Sequence, residues 1–155
     1  MSRKLIDPYD IALNFIKYRF RSQLEIEQKL KRKKIQPSQI KKVINRLKGE
    51  KLIDDEQFAH LWIRNRINLK PTGSRLLLLE LRQKGIDRDL AYEILRQELP
   101  EDLEKDLAYE IGEAKYQKLK SLPPFDQKQK LLSFLSRRGF DYSISRETVE
   151  KIFGA

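Results

Sequence analysis

The chain of 155 residues has no cysteine, one histidine, one tryptophan and one methionine. Without cysteine there is no disulfide framework, no thiol nucleophile and no thiolate metal site, which suits a reducing cytosol. The lone imidazole, His60, leaves zinc without a second nitrogen ligand. Asp54, Asp55 and Glu56 are consecutive acids, but the start of a helix accounts for them without a metal ion. The six glycines form no GxxxxGK[ST], GxGxxG or GxSxG pattern, so phosphate-cradling loops and nucleophile elbows are missing. No catalytic activity, cofactor or metal ion is therefore expected. LLLL, from Leu76 to Leu79, is far too short to cross a bilayer, and MSRKLIDPYDIALNF at the start has no signal-peptide core. A soluble, cytoplasmic protein without a membrane partner is expected, working as a monomer. Apolar residues make up 39% of the chain, below the usual range of about 45 to 50%, and charged residues reach 36%. Small helical units with solvated outer faces fit this balance better than one large core.

The charge that is present lies unevenly. Residues 1 to 51 hold 15 Lys and Arg against 5 Asp and Glu, whereas residues 52 to 100 hold 8 of each and residues 101 to 155 hold 10 of each. The net charge of +10 thus belongs to the first third. Such asymmetry predicts an anionic partner there, either phosphates or an acidic protein groove. The contact candidates are Lys29, Arg32, Lys33, Lys34, Lys41, Lys42 and Arg46, with Arg64 and Arg66 as a second tier.

Apolar spacing predicts helices throughout. Asp7-Pro8 opens the first, with Ile11, Ala12, Phe15 and Ile16 inward. Ser22-Gln23-Leu24-Glu25 is a capping box for the second, in which Glu25 to Lys29 and Glu27 to Lys31 predict four-apart pairs. Pro37 starts a third, with Ile40, Val43, Ile44 and Leu47 on one face. Asp54 caps the next, Ile53 and Phe58 form a hydrophobic staple, and Trp62 is read as packing, with His60 on the rim. That helix stops near Leu69, and another runs from about Ser74 to Gly85. Asp87 caps a helix ending before Pro100, and a longer one from Glu101 turns Leu103, Leu107, Ile111, Ala114 and Leu119 to one side. Two more follow Pro123-Pro124, marked by Leu131, Leu132, Phe134 and Leu135, then by Ile144, Val149 and Ile152, with Ser145 a candidate cap.

A repeat underlies this order. LKRKKIQ from Leu30, LRQKGID from Leu81 and LSRRGFD from Leu135 align residue by residue. Each reads as a basic last turn, a left-handed residue, an apolar anchor and the cap of the next helix. Lys34 takes the glycine place in the first copy, so that corner is expected to be looser or differently closed. The fold expected is all-α: three tandem three-helix repeats in an elongated, modular array, divided at 1–51, 52–99 and 100–155.

Three-helix units also suggest helix-turn-helix DNA binding, and the helix from Pro37 to Lys48 is basic enough to lie along phosphates. Its exposed lysines suit charge more than base reading, so any DNA affinity is expected to be weak and salt-sensitive. SQLEIEQKL from Ser22, LIDDEQFAHLWIRNR from Leu52, GSRLLLLELRQKGID from Gly73 and LLSFLSRRGFDYSI from Leu131 together resemble the successive signatures of the RecX family of recombinase regulators. The resemblance spans nearly the whole chain, in order. Departures are Lys34 and the Gly49-Glu50-Lys51 run ahead of Leu52. It implies a cytoplasmic bacterial protein of DNA repair and recombination that lies in the groove of the RecA filament on DNA and hinders ATP hydrolysis and strand exchange. The competing expectation is a helix-turn-helix-like DNA-binding regulator acting without RecA.

Overall fold

The structure, a computed structural model, describes residues 6–154. Arg3 and Lys4, part of the basic excess of the first third, lie outside the described residues. Among the described residues the chain forms α1 (Pro8–Tyr18), α2 (Gln23–Arg32), α3 (Pro37–Gly49), α4 (Asp55–Leu69), α5 (Ser74–Gln83), α6 (Arg88–Glu98), α7 (Glu101–Gln117), α8 (Pro124–Arg137) and α9 (Tyr142–Ile152), with no strand. None of these helices is long and apolar enough to cross a membrane. The caps follow the sequence closely. Asp7 accepts from the Tyr9 amide, Asp54 from Gln57 and Asp87 from Asp89 and Leu90, while Ser22 and Glu25 complete the expected capping box. At α9 the cap is Asp141, whose carboxylate accepts from the Ile144 amide at 2.9 Å. Ser145 instead lies buried inside the helix and donates to the Phe140 carbonyl, because a cap must stand in extended backbone before the first turn.

Three helices make each unit, and each unit has its own core. Ile26, Leu30, Ile40, Val43, Ile44, Leu47 and Ile53 close the first; Phe58, Ile63, Leu77, Leu81, Ile86, Ile94 and Leu95 the second; Leu131, Leu135, Phe140, Ile144 and Val149 the third. In α7 the fully buried row is Glu104, Ala108 and Gly112; of the expected stripe, Leu107 and Ile111 pack half-buried against the core and Leu119 is buried just beyond the helix, whereas Leu103 and Ala114 face solvent. The small residues bring α7 close to α9, since a Cβ at Gly112 would stand 2.9 Å from Ile152 Cδ1 and 3.2 Å from Thr148 Cγ2. A leucine row would hold those helices apart.

The units join through the same device used twice. At the first seam the Asp55 carboxylate, at the start of α4, accepts from the Gln23 amide at the start of α2, 2.9 Å away. At the second, Glu104 of α7 accepts from both the Ser74 amide (2.9 Å) and its hydroxyl (2.8 Å) at the start of α5. An acid from each following unit therefore satisfies orphan donors of the preceding unit's middle helix. Beside each acid, the left-handed glycine of the following unit presses on that same helix start. Gly85 lies against Leu24, and Gly139 against Leu76 and the Gly73 backbone. At the second seam the Gly73 amide donates to the Arg138 carbonyl (2.9 Å) and the Arg75 amide to the Gly139 carbonyl (3.0 Å).

This geometry explains Lys34. Its φ is +59°, its amide donates to Lys31 and the Ile35 amide to Leu30, the same closure that Gly85 and Ile86 make with Arg82 and Leu81. The corner is neither looser nor differently closed. Glycine is required where the turn abuts a preceding helix start; Lys34 is exposed, and its Cβ has room.

The first seam also carries ionic contacts. Glu25 turns away from Lys29 and toward Arg19, with Arg21 at 3.7 Å and Lys84, just after α5, at 3.5 Å. The expected Glu25 to Lys29 pair is absent because this buried carboxylate has nearer cations, and Glu27 accepts from Gln23 instead (2.8 Å). Phe20 crosses the same seam to stack on Phe58 with ring centroids 6.4 Å apart.

Candidate partner-binding surface

The first unit's cations divide by what they touch. Arg32, Lys33 and Lys34 leave the last turn of α2, where the helix end is negative, and Lys41 and Lys42 lie on the exposed face of α3 opposite its buried Ile40, Val43, Ile44 and Leu47. These five are exposed and join no ion pair among the described residues. Lys29 is half-buried, its ammonium 5.2 Å from the centre of the Phe15 ring, which Arg21 covers at 3.8 Å. Burial and the neighbouring Arg19 charge lower the Arg21 pKa.

Arg46, Arg64 and Arg66 are held differently. Arg46 lies 3.5 Å over the Tyr9 ring and pairs with Glu50 at 2.8 Å, while the Tyr9 hydroxyl donates to the same carboxylate, so α3 is tied to α1. Those two donors hold Glu50 below the usual carboxylate range, and the hydrogen bond to Glu50 raises Tyr9. Arg64 forks onto Glu98 with contacts of 2.7 to 3.0 Å, and His60 Nδ1 meets the same group at 2.7 Å. The Arg64 hydrogen bonds outweigh burial and lower the Glu98 pKa. Arg66 pairs with Glu80 at 2.9 Å, where Trp62 Nε1 also donates at 3.3 Å. Trp62 stacks on Phe58 with centroids 5.7 Å apart, in keeping with a packing role.

Four arginines that the segment charge totals hide gather at the second seam. Arg75 donates to the Ser136 carbonyl at 2.5 Å, Arg82 and Arg137 are exposed nearby, and Arg138 donates to the Pro71 carbonyl. The Arg138 Nε is buried with no partner, and burial followed by the Arg66 charge lowers its pKa. The signal available in the sequence was local: residues 127 to 140 carry Lys128, Lys130, Arg137 and Arg138 and no acid, inside a third unit that balances overall. Among the described residues no group of three His, Cys, Asp or Glu side chains is placed to hold a metal ion.

Known proteins match this architecture unit by unit. The model of the RecX first three-helix domain matches residues 9–47, that of the second residues 54–99 and that of the third residues 102–149. A regulatory protein RecX of Finegoldia magna is 34% identical over 93% of this chain and 71% of its own length. One of Chlorobium phaeobacteroides is 35% identical over 94% of this chain and 93% of its own. The chain spans about half of the Bacillus subtilis relative, 54% of its length, at 33% identity. The crystal structure of RecX from Lactobacillus salivarius superposes with a TM-score of 0.84 at 26% identity, covering 94% of both chains. Three tandem domain matches in the right order, and relatives 34% and 35% identical over 93% and 94% of the chain, show that the chain belongs to the RecX family of regulatory proteins.

Proposed function

We propose that this chain is a non-enzymatic negative regulator of the RecA recombinase, binding in the groove of the RecA–DNA filament and inhibiting its ATP hydrolysis and strand exchange. The observation that carries this reading is a first unit whose Arg32, Lys33, Lys34, Lys41 and Lys42 stand exposed, without acidic partners among the described residues, in a member of a regulatory family. Cations not already neutralised are free to meet an acidic groove or DNA phosphates. Lys29 belongs to the same contact set. Arg46, Arg64 and Arg66 stay in it as side chains that would share their guanidinium groups with Glu50, Glu98 and Glu80. The units divide at 1–51, 52–99 and 100–155 in this reading, and the protein acts as a cytoplasmic monomer with only weak, salt-sensitive affinity for DNA alone.

The test is titration into a reaction of RecA, single-stranded DNA and ATP, with DNA anisotropy in the absence of RecA as control. Hydrolysis is expected to fall, and to fall less when Lys33, Lys34, Lys41 and Lys42 are all replaced by Glu with helical content unchanged. Undiminished inhibition by that variant would overturn the basic surface. Unaffected hydrolysis at several-fold excess of the natural chain would overturn the RecA reading, and tight sequence-selective duplex binding without RecA would favour a free-standing DNA-binding regulator.

A further inference from the structure

Between α5 and α8, on the second seam, lies a groove of about 510 Å³ whose wall residues include Leu76, Leu78 and Leu79 together with Arg75, Arg82 and Arg137. Three features set it apart from an ordinary charged surface. Leu79 is 53% exposed although Leu77 and Leu81, two residues to either side, are fully buried, so α5 is apolar on more of its surface than its own core uses. No acid lines the groove, and none of the three arginines joins an ion pair among the described residues. Glu80, the only acid on α5, faces away toward Trp62 and Arg66. The seam itself is fixed by the main-chain bonds of Gly73 and Arg75 to Arg138 and Gly139, which hold the groove's two walls together without a ligand.

We propose that this groove docks an acidic peptide segment that carries aliphatic side chains, a partner surface separate from the basic first unit and independent of the RecA reading. The apolar wall takes the aliphatic side chains, as in helix-in-groove recognition. The arginine forks meet carboxylates, a pairing that guanidinium geometry favours and that needs no further cation. A nucleic-acid strand fits less well. Its phosphates would suit the arginines, but the groove offers leucines where base stacking calls for aromatic faces.

The experiment is fluorescence anisotropy of the full chain, without RecA or DNA, against a fluorescein-labelled synthetic peptide with leucines at helical spacing (i, i+3, i+4, i+7) and aspartate and glutamate between them. Binding is expected, and Arg82→Glu with Arg137→Glu should weaken it by at least about tenfold, ~1.4 kcal/mol. Leu79→Asp should weaken it as well, and so should replacing the peptide's leucines by serine at unchanged charge. All three protein positions are exposed, so the variants should stay folded with natural helical content, Arg82→Glu and Arg137→Glu lowering the thermal midpoint only modestly by placing an acid on the negative end of α5 and of α8. No binding by the natural chain, equal binding by folded variants, or equal binding of the serine peptide would each overturn the proposal. So would displacement of the peptide by a single-stranded oligonucleotide of equal charge that binds more tightly and loses affinity in the same variants, an outcome that assigns the groove to nucleic acid.

Discussion

Alanine at Gly85 or Gly139 should loosen a seam, whereas glycine at Lys34 should not, although all three residues close the same turn. Their φ values are +82°, +94° and +59°. For alanine the left-handed backbone alone costs about 1 to 2 kcal/mol. At Gly85 the new Cβ would also stand 2.6 Å from the Leu24 Cβ, an atom fixed to the first turn of α2, and relieving such overpacking costs about 1 to 3 kcal/mol. Together these give about 2 to 5 kcal/mol, a large share of the roughly 5 to 15 kcal/mol that holds a domain folded. Gly139 is more confined, since its Cβ would overlap both the Leu76 Cβ and the Leu76 amide nitrogen. Lys34→Gly relieves the left-handed strain of about 1 to 2 kcal/mol but gives back about 0.5 to 1 kcal/mol in unfolded-chain entropy, so its net effect should lie between no change and a gain of about 1.5 kcal/mol. Urea unfolding followed by far-ultraviolet circular dichroism, and by the emission of Trp62 in the second unit, measures all three. Equal losses at the three positions, or a harmless Gly85→Ala, would refute the seam explanation and leave Lys34 unexplained.

The buried carboxylates should give opposite pH dependences. Burial raises Glu104 above the ordinary carboxylate value, more than the Ser74 donors lower it, so its contribution is fullest below the unfolded pKa and declines as pH rises through the folded one. Burial also pushes Glu25 up, but Arg19, the Ser22 amide and Lys84 together outweigh it and hold the group low, so its contribution is present above the unfolded pKa and is lost as pH falls through the folded one. In melting curves taken across acid pH, Glu25→Gln should therefore flatten the loss toward low pH, while Glu104→Gln should remove a decline toward neutral pH; the reverse assignment would contradict the burial argument. Glu104→Ala, which strips the Ser74 amide and hydroxyl of their acceptor, should cost about 1 to 3 kcal/mol in denaturant titrations, and a silent substitution would mean that water replaces the carboxylate fully. Gly112→Ala should stay within about 1 kcal/mol of the natural chain, because improved helix propensity offsets a contact with the flexible end of Ile152, whereas Gly112→Leu should force α7 from α9 and lower the thermal midpoint clearly.

The sequence alone determined the helices, their order and the family. Asp7, Ser22, Asp54 and Asp87 cap where their types and spacing place them, and apolar periodicity finds the face of α3, because caps and amphipathic stripes depend on neighbours within a few residues. The three aligned corner motifs likewise give the tandem three-helix plan. Tertiary structure decided what happens between units. Asp55 reads as a helix-start acid and Glu104 as one charge among several on α7, yet each caps a helix of the preceding unit. Arg64 and Arg66 look free beside Lys41 and Lys42 until packing within the second unit brings Glu98 and Glu80 to them from other helices, whereas Arg46 and Glu50 are a four-apart pair already present in the spacing. Arg75 and Arg137, 62 positions apart, line one groove only because Gly139 packs against the start of α5. The contacts at the seams follow from the angle at which one packed unit meets the next. That angle is set by close approach at a glycine and a buried acid, and it leaves no period in the chain.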